Sequence, residues 1–124
     1  YDALAIPGGF ETYEYYKDAY NEQFLNVIRE FNNENKIIAS VCVGALPVAK
    51  SGILMGKNAT TYNSKKRMQM LKEFGAKFDE KPIVKSNNII TSSGPSTAID
   101  VAFLLLEILS SSENTKKVKN LMGY

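Results

Sequence analysis

The chain carries a single cysteine, and it stands in a pentapeptide whose residue types suit nucleophilic chemistry: Ser40-Val41-Cys42-Val43-Gly44. The pattern is small residue, any residue, nucleophile, any residue, glycine. It is the cysteine version of a sharp strand-to-helix turn, in which small neighbours let the backbone fold tightly and lift the central side chain clear. Such a turn strains the central residue by on the order of 1–3 kcal/mol. A thiol there begins a helix, where free N–H groups and the positive end of the helix dipole favour thiolate over thiol. The same turn offers an oxyanion site, with the N–H of Val43 as one expected donor and that of Gly8 or Gly9 as the other. An isolated cysteine is equally at home as a small buried hydrophobe. The residue by itself leaves both readings open.

The elements that must position Cys42 are legible around it. Ala3 to Ile6 reads as a short buried strand, stopped by Pro7 and the flexible Gly8-Gly9 pair. Tyr20, Phe24, Val27, Ile28 and Phe31 recur as one apolar stripe of a helix. Ile37 to Val41 is a second strand, apolar enough to be covered on both faces as in a parallel sheet. Cys42 stands at its end, and the helix that follows can terminate at Gly52. Asn58 to Tyr62 has the β-branched content of another strand. Met68, Leu71 and Phe74 mark a short helix ended by Gly75. Two strands around Asn87-Asn88 form a hairpin, since that pair suits positive φ. Ile99 to Leu109 is apolar almost all round and predicts a deeply packed helix, with Ser96 and Thr97 as its N-cap. A last surface helix turns Val118, Leu121 and Met122 inward. This order predicts a single α/β domain over residues 1–124 with a mostly parallel central sheet. In such sheets reactive groups gather at the carboxyl ends of strands, where Pro7-Gly8-Gly9 and the cysteine turn both fall.

Composition narrows the chemistry. The 124 residues suffice for one core, and Lys+Arg 15 against Asp+Glu 13 is too balanced to argue for nucleic acid or an anionic membrane. Lys65-Lys66-Arg67 reads as a solvated helix start. The longest apolar run, Val101 to Leu106, is far short of the ~20 residues of a membrane span. A lone cysteine excludes an internal disulfide and a multi-cysteine metal site, and a reducing, cytoplasmic setting is the expectation. No metal or other cofactor is implied. There are no histidines, so no Cys–His pair can form within these residues, and a homo-oligomer cannot supply one in trans.

Three stretches, "YDALAIPGGF", "IASVCVGALPVAKSGILMGKNATTY" and "IITSSGPSTAIDVAFLLLEIL", together resemble the ThiJ/PfpI superfamily. It is a group that includes the parkinsonism-associated deglycase, PfpI-type proteases and isonitrile-hydratase-like enzymes, and that shares the class I glutamine-amidotransferase fold. The resemblance runs through essentially the whole chain. It implies a flavodoxin-like three-layer sandwich, a homodimer, and a small-molecule substrate or ligand. It also implies that Cys42 is the elbow nucleophile, that Gly9 and Val43 donate to the oxyanion site, and that Tyr62, Gly94 and Pro95 lie by the pocket. An acidic partner of Cys42 is implied on a segment ahead of the Pro-Gly-Gly strand, together with opening βα units upstream of Tyr1. Neither Glu11 nor Glu14 matches that acid's position, although Glu11 is close enough in sequence to line the same mouth.

The departures from the family pattern sort the alternatives. PfpI-type proteases follow the cysteine with histidine and isonitrile-hydratase-like members with threonine, whereas Val43 can do neither job. Where many members carry histidine after the Thr-Thr pair, this chain has Tyr62. Activation of the thiol by imidazole, the usual route to a cysteine hydrolase, is closed within this sequence, which argues against proteolysis. What stays open is addition of a thiolate to an electrophilic carbonyl or isonitrile. The alternative is a non-enzymatic thiol sensor or ligand-binding module that keeps the elbow without a full catalytic set.

Overall fold

The computed structural model describes residues 1–124. Four strands form the main sheet in the order β1 (Ala3–Ile6), β2 (Ile37–Ser40), β6 (Ile89–Ser92), β5 (Ile83–Ser86). β1, β2 and β6 run parallel, and β5 is antiparallel to β6 across the Asn87-Asn88 turn. Asn87 takes φ +54, as the hairpin reading requires. A separate two-stranded parallel ribbon pairs β3 (Asn58–Ala59) with β4 (Lys77–Phe78). This is a mixed α/β fold with a mostly parallel central sheet and helices around it. No helix is long and apolar enough to cross a membrane.

One face of the sheet is well covered. Helices α1 (Tyr15–Ala19), α2 (Glu22–Asn33), α3 (Ala45–Lys50) and α4 (Lys65–Glu73) supply a core that includes Leu25, Ile28, Leu46, Val48 and Leu71, packed on Ile6, Ile38 and Ile89 of the strands. Each such fully buried aliphatic side chain contributes roughly 1.5–3 kcal/mol. The opposite face carries only α5 (Ala98–Leu109), with Val101 against Ala39 and Ile90. α6 (Ser112–Met122) follows it.

Several side chains depart from the sequence reading, and the cause is tertiary context. The continuous helical stripe is broken at Asn21, which caps α2 by accepting the Gln23 N–H. Leu25 and Ile28 are the buried residues of α2 while Val27 is exposed. α5 is not packed all round: only Val101 and Phe103 are buried, and Ile108 and Leu109 face out. Leu121 and Met122 are exposed rather than inward, Leu121 to 79 %. Only two residues of Asn58 to Tyr62 are strand. Thr60 and Thr61 are fully buried beyond it, and their polar groups are used for tertiary hydrogen bonds instead. Thr97 flanks α5, but its hydroxyl donates to the Gly94 carbonyl at 2.7 Å rather than capping the helix.

Candidate active site

The turn at Cys42 is built from the backbone outward. β2 ends at Ser40, and Cys42 to Gly44 form a single 3-10 turn that runs into α3. Cys42 has φ +59, in the left-handed region that L-residues other than Asn and Asp seldom enter. Two flanking observations explain how this conformation is held. A methyl group on Gly44 would stand 2.6 Å from the Ile6 carbonyl oxygen and 2.9 Å from that of Pro7, so only glycine lets the elbow seat against the end of β1. The Cys42 carbonyl accepts the Thr61 hydroxyl at 3.2 Å. Beneath it, the Ser92 hydroxyl donates to the Ser40 carbonyl at 3.0 Å, and the Thr91 hydroxyl accepts the Thr60 N–H at 2.9 Å. These buried hydroxyls tie the carboxyl ends of β2 and β6 to the loop after β3.

The Pro7-Gly8-Gly9 loop comes in from the neighbouring strand. A Cβ on Gly8 would lie 2.9 Å from the Cys42 Cβ and 3.3 Å from its Sγ, so the glycine is what allows this loop to touch the thiol. Gly9 is backed by the Tyr15 ring, whose hydroxyl donates to the Pro7 carbonyl at 2.8 Å and pins the loop. That phenol is pushed up to about 12, chiefly by burial and then by the neighbouring Tyr16 and Cys42. Neither Gly8 nor Gly9 donates its N–H to a protein acceptor. The first N–H groups of a helix are likewise without an intrahelical partner, which is the position of Val43.

Cys42 is half-buried and opens onto a cavity of about 660 Å³. Gly8, Gly9, Glu11, Val43, Tyr62 and Pro95 line it together with Cys42. Gly94 does not line the cavity itself. It sits behind Tyr62, whose ring is 3.9 Å from where a Gly94 Cβ would be. The rest of the wall is largely apolar, running along Ala39, Val41 and Val101 between the sheet and α5. The tyrosines after the Gly-Gly loop divide. Tyr15, Tyr16 and Tyr20 pack against the core, while Tyr13 is exposed. No three His, Cys, Asp or Glu side chains converge anywhere as a metal-ligand set would.

One lining residue escapes the sequence reading. Arg67, placed there with a solvated basic run, forms part of the cavity wall. Its side chain is only 14 % exposed. The guanidinium lies over the Tyr16 ring, 4.8 Å from the centroid. Nη1 donates to the Met70 sulfur at 3.3 Å and Nη2 to Glu11 at 3.1 Å. Lys66 donates to the same Glu11 carboxylate at 3.1 Å. Hydrogen bonds from Lys66 and then Arg67 hold the Glu11 carboxyl below the usual carboxylate range. The signal was Ser64, which accepts the Arg67 N–H and so starts α4 directly after the Thr60-Thr61-Tyr62 loop that abuts the elbow.

The sequence model of the DJ-1/PfpI family matches residues 1–108. A relative from Schizosaccharomyces pombe named glutathione-independent glyoxalase DJ-1 is 35 % identical over 120 residues, covering 95 % of this chain and 60 % of the relative. An isonitrile hydratase from Pseudomonas putida is 29 % identical over 123 residues, covering 99 % of this chain and 52 % of that protein. The crystal structure of Drosophila melanogaster DJ-1beta superposes with a TM-score of 0.85 at 28 % identity, over 98 % of this chain and 63 % of that one. The chain thus spans about half to three fifths of the length of these two curated relatives.

Proposed function

The chain belongs to the DJ-1/PfpI family, and on that premise we propose that it acts on a small electrophilic molecule through Cys42. The observation that carries this reading is the contact between two loops: a Cβ on Gly8 would lie 3.3 Å from the Cys42 Sγ, and the N–H groups of Gly8 and Gly9 have no protein acceptor, at the wall of a largely apolar cavity. In the proposed step, the thiol gives its proton to solvent and the sulfur forms a C–S bond with a carbonyl carbon. The C=O π pair moves to oxygen, the resulting oxyanion is met by the N–H groups of Gly9 and Val43, and it takes up a proton from water. The Tyr62 hydroxyl is a further donor toward the same oxygen. The names of the relatives, a glyoxalase and an isonitrile hydratase, support small carbonyl compounds and isonitriles as the first substrates to try. PfpI-type proteolysis is not proposed, since the sequence provides no imidazole beside the thiol.

A second reading has its own support. The one acid of the cavity wall, Glu11, is engaged by Lys66 and Arg67 and so is poorly placed to act as a base. A thiol that shares its cavity with a carboxylate already paired to two cations suits a non-enzymatic thiol sensor or ligand-binding protein. The experiment is consumption of methylglyoxal and of a small alkyl isonitrile by the chain, with Cys42→Ser as control. Turnover lost in Cys42→Ser is the expected result. Cys42 that is alkylated readily but turns over neither compound gives the sensor reading the better claim. Turnover that survives Cys42→Ser overturns the role of the thiol.

A further inference from the structure

Arg67 is the only cationic residue in the cavity wall, and Glu11 the only carboxylate. The two are unequal in freedom. The Arg67 guanidinium is held from beneath by the Tyr16 ring and from one side by the Met70 sulfur, with its side chain 14 % exposed. The Glu11 side chain is 59 % exposed and is bonded to Lys66 as well as Arg67. Of the five N–H groups that a guanidinium carries, Met70 and Glu11 engage two. An arginine fixed this way beside apolar surface is preorganised for a planar anion, because its stacking and orientation are set before any ligand arrives. A carboxylate reaching it from the cavity would add to or replace Glu11, which keeps Lys66 as its partner.

We propose that Arg67 selects small electrophiles that carry a carboxylate, 2-oxo acids among them. This deepens the function proposed above and rests on it. Arg67 and Cys42 line the same cavity, so a small molecule seated with its carboxylate on the guanidinium occupies the space onto which the thiol opens. The contact is an ion pair with charge-assisted hydrogen bonds. It orients the substrate and adds no bond-making step to the thiol addition. Arg67 is therefore a specificity-determining residue, with Glu11 as the internal carboxylate that occupies the guanidinium when no substrate is present.

A matched pair of reagents tests this without knowledge of the natural substrate. Iodoacetate and iodoacetamide alkylate a thiol by the same displacement and differ in whether a carboxylate or a neutral amide is bonded to the reacting carbon. The measured quantity is the ratio of their rates at Cys42, divided by the same ratio for glutathione, which cancels changes in intrinsic thiol reactivity. We expect the wild-type ratio to exceed that of glutathione by on the order of tenfold, the net worth of one charge-assisted contact. Arg67→Met should return it to the glutathione value, and Glu11→Gln should raise it further. Lys66→Met, which removes an equal charge from an exposed side chain, should leave most of the preference. Circular dichroism confirms that each variant is folded. A wild-type ratio equal to that of glutathione, or equal losses in Lys66→Met and Arg67→Met, would overturn the selectivity while leaving Cys42 as the nucleophile. Failure of both reagents to modify Cys42 would overturn the thiol reading and this inference with it.

Discussion

Gly44→Ala separates two effects that pull in opposite directions. Gly44 has φ −58 and ψ −20, an ordinary right-handed helical conformation that alanine adopts freely. Judged by backbone propensity alone, the substitution should stabilise the protein by about 0.5–1 kcal/mol, since glycine loses more freedom on folding. The surroundings oppose it. The new Cβ would lie 2.6 Å from the Ile6 carbonyl oxygen, 0.8 Å inside the 3.4 Å at which ordinary contact begins, with the Pro7 oxygen at 2.9 Å on the same side. Both are backbone atoms with little room to yield. The Ile6 carbonyl also accepts the Val41 N–H at 3.1 Å, which helps tie the start of the elbow to β1. Overpacking of this kind costs about 1–3 kcal/mol, and a loosened backbone hydrogen bond adds about 1 kcal/mol. The net expectation is a loss of about 1–3 kcal/mol. At roughly 3–5 °C per kcal/mol for a chain of this size, Tm should fall by roughly 3–15 °C. Thermal unfolding followed by circular dichroism gives the sign directly. An unchanged or raised Tm in Gly44→Ala would refute the claim that the cysteine turn is held by close contact with the end of β1.

Two further predictions concern the groups that support the site. Thr91→Val removes the acceptor of the buried Thr60 N–H while keeping the side-chain volume, so the midpoint of urea unfolding should drop by the equivalent of about 1–3 kcal/mol; an unchanged midpoint would show that this hydroxyl does not hold the loop. Tyr15, with its phenol pushed up to about 12 by burial, should remain a neutral donor to Pro7 through the mildly alkaline range. Its folded value lies above the unfolded value of about 10, so its contribution to stability is complete below about pH 10 and is lost as pH rises from there toward about 12. The difference in tyrosinate absorbance between wild type and Tyr15→Phe should titrate near the upper value, and a difference titrating at the ordinary phenol value would contradict the burial.

How far the sequence could be read depended on whether a feature was local. β1, the Asn87-Asn88 hairpin and the turn at Cys42 were legible because glycines, Asn-Asn and short apolar runs set their geometry with little outside help. So was the meeting of Gly8-Gly9 with Cys42, which follows from adjacent parallel strands ending on the same side. The buried set of α5 and α6 was not legible, because it depends on what covers each face, and Ile108, Leu109, Leu121 and Met122 are apolar yet exposed. Thr60 and Thr61 looked like strand residues by β-branching, but their polar groups serve the elbow. Arg67 was missed for a related reason. A basic run at a helix start looks the same in sequence whether solvent or an aromatic ring receives it, and only the packing of Tyr16 beneath the guanidinium separates the two.

The central claim is that Cys42 is a presented nucleophile and not a buried packing residue. The measurement that bears on it most directly is the rate of iodoacetamide modification at Cys42 in the folded chain, compared with the same chain unfolded in urea at the same pH. Modification faster in the folded state is the expected result, since folding would then activate the thiol rather than hide it. Modification slowed by folding to a small fraction of the unfolded rate would contradict the claim and return Cys42 to the core.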